Sequence, residues 1–142
     1  MPRKGGSMFE ILDHTADVGV SADGATREEL FESAATGMFS IIGDTDTVDP
    51  AVPREISVAA QDLPHLLAEF LKELLYIFSV EQLMVSKVNV ESCSDTHVRA
   101  AAYGEPISPK HSLYTEIKAV THHQLAAGKD DGTWKATVLF DI

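Results

Sequence analysis

The stretch Asp62-Leu63-Pro64-His65-Leu66-Leu67-Ala68-Glu69-Phe70-Leu71-Lys72-Glu73-Leu74-Leu75-Tyr76-Ile77-Phe78 decides the fold. Asp62 is placed to cap a helix, and Pro64 suits a first turn, where a missing N–H leaves no bond unmade. Leu63, Leu66, Leu67, Phe70, Leu71, Leu74, Leu75 and Phe78 then recur at helical spacing on one face. A stripe this wide needs a sheet to lie on. It does not mark a membrane span, because Glu69, Lys72 and Glu73 interrupt residues 63–80, short of the roughly 20 apolar residues a bilayer demands.

Upstream, Thr26 followed by Glu29 reads as a capping box, and Leu30, Phe31, Ala34, Ala35, Met38, Phe39 and Ile42 predict a second helix ending near Gly43. Before it, Phe9 and Ile11, then Val18, Val20 and Ala22, alternate with polar or small residues and predict two short strands around Asp13-His14-Thr15-Ala16-Asp17, closed by the turn signal Asp23-Gly24. Residues 55–60 read as a strand. Downstream, 84–90 and 96–103 form a predicted hairpin, 104–111 a loop, and 115–123, 124–127 and 133–141 further strand segments, with 128–132 as the last hairpin turn. The class is α+β: a two-layer sandwich in which a mixed β-sheet carries both helices on one face. Residues 1–7 lack periodicity and read as a flexible tail, with Met8 an alternative start, leaving 8–142 as one domain.

Composition narrows the function classes. The 142 residues hold 22 acids against 11 bases, a formal charge of −11. Residues 1–71 carry 13 acids and 4 bases (−9) and residues 72–142 carry 9 and 7 (−2), so the acidity lies mainly in the first half. Nucleic-acid binding wants cationic contacts to phosphates, and this chain has no basic stripe to supply them. With 44% hydrophobic residues it should fold rather than remain disordered. The single cysteine, Cys93, excludes an internal disulfide, and no leader is visible, so a cytoplasmic location is expected. Cys93 has no cationic partner nearby in sequence and reads as a non-catalytic thiol.

No phosphate-binding glycine loop, nucleophile elbow or Cys-x-x-Cys occurs. Chemistry must therefore come from smaller clusters. Asp13-His14-Thr15-Ala16-Asp17 puts two carboxylates, an imidazole and a hydroxyl into five residues. That is compatible with local turn bonding or with a metal or proton-transfer site. Two carboxylates do not close a calcium site, which takes six to eight oxygens. Asp141-Ile142 follows an apolar strand and offers more oxygens, so Asp17 and Asp141 can share an ion if the first and last strands lie together. His122-His123, placed in a strand, face opposite ways and cannot chelate as a unit. Lys118, inside an apolar strand, is expected to snorkel or to pair with Glu116. A hydrolase built on Asp17 and His14 finds no visible acid, base and nucleophile geometry.

Taken together, these residues resemble the archease family. Asp13-His14-Thr15-Ala16-Asp17-Val18-Gly19 looks like its N-terminal signature, His111 and Thr115-Glu116-Ile117-Lys118-Ala119-Val120-Thr121-His122-His123 like its second block, and Phe140-Asp141-Ile142 like its ending. The likeness spans residues 8–142. It implies a non-enzymatic accessory protein of tRNA processing that promotes guanylylation and repeated turnover of the GTP-dependent tRNA-splicing RNA ligase. A chaperone or specificity factor for a tRNA methyltransferase is the alternative. The resemblance also carries a divalent-metal site, usually calcium, onto Asp17, Asp141 and the carboxyl end at Ile142. Asp13, His14, Lys118 and His123 are its further candidates for support or partner contact, while His122 occupies a position often aromatic in the family.

Overall fold

The computed structural model describes residues 8–13 and 17–142, with Asp13 described by its backbone. In chain order these form β1 (Met8–Asp13), β2 (Asp17–Gly24), α1 (Arg27–Ile42), a 3-10 turn (Thr45–Thr47), β3 (Val52–Ala59), α2 (Leu63–Ser79), β4 (Leu83–Cys93), β5 (His97–Pro106), β6 (Ala119–Val120), β7 (Ala126–Asp130) and β8 (Thr133–Asp141).

Both helices begin as their capping residues dictate. The Thr26 hydroxyl accepts the Glu29 amide at 3.1 Å, and the Glu29 carboxylate reaches back to the Ala25 amide at 3.2 Å. Asp62 accepts the His65 amide at 2.9 Å. The apolar stripe of α2 is buried along its length, with Leu66, Leu67, Phe70, Leu71 and Leu74 fully shielded. Phe70 meets Phe31 of α1 with ring centroids 5.4 Å apart.

The α+β class and both helices agree with the sequence. The strands, however, divide between two antiparallel sheets instead of joining one mixed sheet. One has the order β1-β2-β8-β6 with β7 also paired to β8, and the other has the order β3-β5-β4. The reason lies in the connections. α1 carries the chain from β2 into the second sheet, and α2 links β3 to β4 with β5 intervening, so no two parallel strands become neighbours. Each helix packs on strands of both sheets, α1 on β2 and β4 and α2 on β3, β4, β6 and β7. The helices are thus the layer common to both.

α1 also shields the outer edge of β4. Glu32 accepts the Val90 amide at 2.8 Å, and Glu28 accepts the Cys93 amide at 3.2 Å. An unpaired strand edge invites pairing with another chain, and here two carboxylates stand in for a neighbouring strand. Burial raises the Glu32 carboxyl above its ordinary range, partly offset by the bond from Val90. The last hairpin turns tightly at Asp131-Gly132, where both residues have positive φ (52° and 81°), the conformation a two-residue turn requires. No helix among the described residues is long and apolar enough to cross a membrane.

One predicted strand is largely absent. Of residues 115–123 only Ala119–Val120 pair, because the preceding segment wraps the C-terminal end of α1. The Tyr114 amide donates to the Ile42 carbonyl at 2.7 Å, Leu113 bridges Gly43, and the Asp44 amide donates to the Ser112 carbonyl at 2.9 Å. A side chain at Gly43 would meet that carbonyl at 2.5 Å, so glycine is what lets the loop approach.

Candidate functional site

Antiparallel pairing of β2 with β8 sets Asp17 directly opposite Asp141. Ala136, Val138 and Phe140 of β8 enter the core together with Val18, Val20 and Ala22 of β2. By strand alternation Asp17 and Asp141 therefore project from the other face, away from the helices. Asp141 is exposed and Asp17 half-buried. Directly opposed side chains in such a pair have Cβ atoms about 4.5–5.5 Å apart, and like charges at that range are destabilising. The structure thus brings the two carboxylates singled out in the sequence to facing positions of neighbouring strands.

The next residues inward explain the spacing. Gly19 faces Leu139, and a Cβ on Gly19 would lie 2.5 Å from the Leu139 side chain and 2.6 Å from the Val138 carbonyl. Glycine is needed there so that the strands can close beneath the carboxylates. On its other side Asp141 faces Ala119 of β6, and its carbonyl accepts the Lys118 amide at 2.7 Å. One lone pair of that carbonyl is thereby used. Ile142, the last residue, follows immediately and is 43% exposed.

The donor chemistry suits a hard divalent ion: carboxylates first, carbonyls second, no thiol. Among the described residues no third His, Cys, Asp or Glu side chain joins the pair. An ion between the two carboxylates would need further oxygens, from backbone carbonyls or from water. His14 lies outside the described residues, as does the Asp13 side chain; the Asp13 backbone pairs with Val18, beside Asp17.

The other candidates lie apart. Lys118 is exposed, and no ion pair links it to Glu116. The expected partnership depended on strand parity, which this irregular segment lacks. His123 is exposed in the turn beyond β6, its amide bonded to the Thr121 hydroxyl at 3.2 Å. His122 meets the edge of His65 with centroids 5.3 Å apart, and its Nε2 lies 3.4 Å from Lys72 Nζ. Cys93 agrees with its reading as an inert thiol: burial first, then the Glu28 charge, pushes it up to about 12.

A second polar cluster gave no warning in the sequence. Glu105 Oε1 receives Lys110 Nζ at 2.8 Å, His111 Nε2 at 2.8 Å and the Asp49 amide at 3.1 Å. His111 is buried, and its Nδ1 accepts the Ser108 amide at 3.1 Å, so Nε2 carries the proton donated to Glu105. The Lys110 bond, then the His111 and Asp49 bonds, hold the Glu105 carboxyl down at about 2. These contacts fasten the loop after β5 just before it turns toward Tyr114.

The archease protein family matches residues 9–142 of the chain. Protein archease of Methanosarcina mazei is 43% identical over the full length of both chains, and that of Methanothermobacter thermautotrophicus 39% identical over 94% of this chain and 98% of its own. The solution structure of a Methanobacterium thermoautotrophicum protein aligns over 98% of this chain and 100% of its own, with a TM-score of 0.78 and 35% identity. A Thermotoga maritima crystal structure, described as an archease and possible chaperone, shares the fold at a TM-score of 0.66 and 19% identity, covering 95% and 98%.

Proposed function

The chain belongs to the archease family, and on that premise we propose that it is a non-catalytic activator of the GTP-dependent tRNA-splicing RNA ligase, acting through a divalent ion held at Asp17, Asp141 and the carboxyl end at Ile142. The observation that carries this reading is the cross-strand opposition of Asp17 and Asp141. Two facing carboxylates cost stability by themselves, and they become favourable when a shared cation neutralises them. Calcium is the ion that the family resemblance implies; it takes six to eight oxygens in a flexible geometry, so water or backbone carbonyls would complete the two carboxylates.

When bound, the ion would offset the charge of the two carboxylates and offer its open coordination positions at this end of the sheet. The chain's own residues do the rest. β2 and β8 fix the separation of the carboxylates, Gly19 lets the strands close behind them, and the Lys118 amide holds the Asp141 backbone in place. The exposed Lys118 and His123 side chains are groups offered to the partner. The acidic surface suits a basic RNA-processing enzyme and keeps RNA itself away from direct contact.

Guanylylation of the cognate ligase tests the proposal. Stimulation is expected with the wild type and metal, and loss of most of it with Asp17→Ala. Equal stimulation by the variant would remove the metal-based mechanism. A salt-sensitive suppression of methyltransferase aggregation, indifferent to Asp17, would instead favour the chaperone role.

A further inference from the structure

At the end of the sheet that carries Asp17 and Asp141, the chain crosses from one face to the other within a single residue. Val18 follows Asp17, Ile142 follows Asp141, and both line an open hollow of about 350 Å³. Ile11, Ile41 and Tyr114 complete its apolar walls. Three of the seven large apolar side chains exposed among the described residues line it: Ile11 at 41%, Tyr114 at 63% and Ile142 at 43%. Isolated exposed apolar residues are ordinary, whereas a cluster around a concavity marks an interaction site.

The loop that displays Tyr114 is held rigidly from behind. His111 is buried on Glu105, Leu113 bridges Gly43, the Tyr114 amide bonds Ile42, Ile117 is buried, and the Lys118 amide bonds Asp141. An irregular segment fastened at five successive points, with Leu113 and Tyr114 outward, has already lost the conformational freedom that binding otherwise removes. Tyrosine is also among the side chains that most often dominate interface energetics.

We infer that this hollow is the docking anchor for the protein partner. It takes an apolar side chain from a surface that is cationic around that side chain, complementary to a chain of formal charge −11. The charge pattern selects this occupant. A second copy of the chain would bring the same formal charge of −11 against this one. Nucleic acid is excluded on the same ground of sign. An apolar knob in the hollow would bring the partner's surface beside the adjoining face that carries Asp17 and Asp141. The inference rests on the activator reading above for the partner's identity.

The test separates docking from activation. Affinity for the cognate ligase is measured by calorimetry, and stimulation is titrated to saturation, for the wild type, Ile11→Ser with Tyr114→Ser, and Asp17→Asn. Thermal melts verify that the variants are folded, and calcium titration of each free protein reports the metal site. The apolar double variant is expected to weaken ligase binding tenfold or more and shift half-saturation equally, with calcium affinity and the stimulation plateau unchanged. Asp17→Asn is expected to lower the plateau. Unchanged ligase affinity in the double variant overturns the docking inference while leaving the activator reading intact. Binding without stimulation by the wild type overturns the activator reading, and the affinities still judge the hollow. Dimerisation of the wild type abolished in the double variant, with ligase affinity unaltered, overturns the chosen occupant.

Discussion

The Lys118 amide donates to the Asp141 carbonyl at 2.7 Å, so the loop displaying Leu113 and Tyr114 ends on the residue that bears one of the two facing carboxylates. The backbone bond, rather than the lysine head group, makes this link. Lys118→Ala should therefore leave stability within about 0.5 kcal/mol of wild type, as at other exposed positions. Lys118→Pro, which removes the donor, should cost about 1 kcal/mol or more. Urea denaturation of both variants measures the difference.

Opposition of Asp17 and Asp141 predicts a stability effect that reverses with metal. In chelator, Asp17→Asn should be more stable than wild type by about 0.2–1 kcal/mol, because a like-charge cross-strand pair is removed. With calcium at one hundred times its dissociation constant, wild type should gain about 2.7 kcal/mol and overtake the variant. Thermal melts with and without calcium decide it, and a variant that gains as much as wild type would contradict the site.

Gly19→Ala should destabilise by about 1–3 kcal/mol, since the added methyl meets both the Leu139 side chain and the Val138 carbonyl. Because Gly19 lies directly behind Asp17, calcium affinity should fall as well. Equilibrium unfolding and calcium titration of one preparation provide both readings.

Glu105 sets a pH dependence. Its carboxyl is lowered from 4.5 to about 2 in the folded protein, chiefly by Lys110 and then by His111. The unfolded chain therefore binds the proton first as the solution is acidified. The stabilisation is fully present above pH 4.5 and is lost as pH falls toward 2. Glu32, raised by burial, acts in the opposite direction. Glu105→Gln should flatten the acid limb of the melting temperature against pH, whereas Glu32→Gln should steepen it.

Loss of the Glu32 carboxylate altogether, in Glu32→Ala, leaves the partly buried Val90 amide without its acceptor. The expected cost is about 1–3 kcal/mol. The bared β4 edge should also raise the rate of aggregation, followed by light scattering at constant temperature.

The sequence disclosed what local chemistry determines. Asp62 with its leucine stripe and Thr26 with Glu29 each act within a few residues and occur where the pattern indicates, whereas the final turn, read as 128–132, contracts to Asp131-Gly132 because β7 continues to Asp130. Strand alternation through Val18, Val20 and Ala22 is equally readable. Residues 115–118 alternate polar and apolar side chains as a strand does, while their backbone bonds are decided by the end of α1 and by Asp141. The division into two sheets was hidden for a similar reason, since β5 inserts between β3 and β4 only in space. The pairing of Asp17 with Asp141 joins opposite ends of the chain, so residue type could suggest the partnership and only register could establish it. The Glu105–His111 bond matches no spacing rule at all.

The two sheets meet through α1 and α2, each helix burying side chains against both. Neither sheet can melt without stripping part of the apolar cover from the helices, and neither helix can leave without uncovering both sheets. Unfolding should accordingly be all-or-none, with circular dichroism of the helices and fluorescence of Trp134 in β8 following one transition. A strain introduced at Asp17 will be felt in the melting of α2 as much as in the strand that bears it.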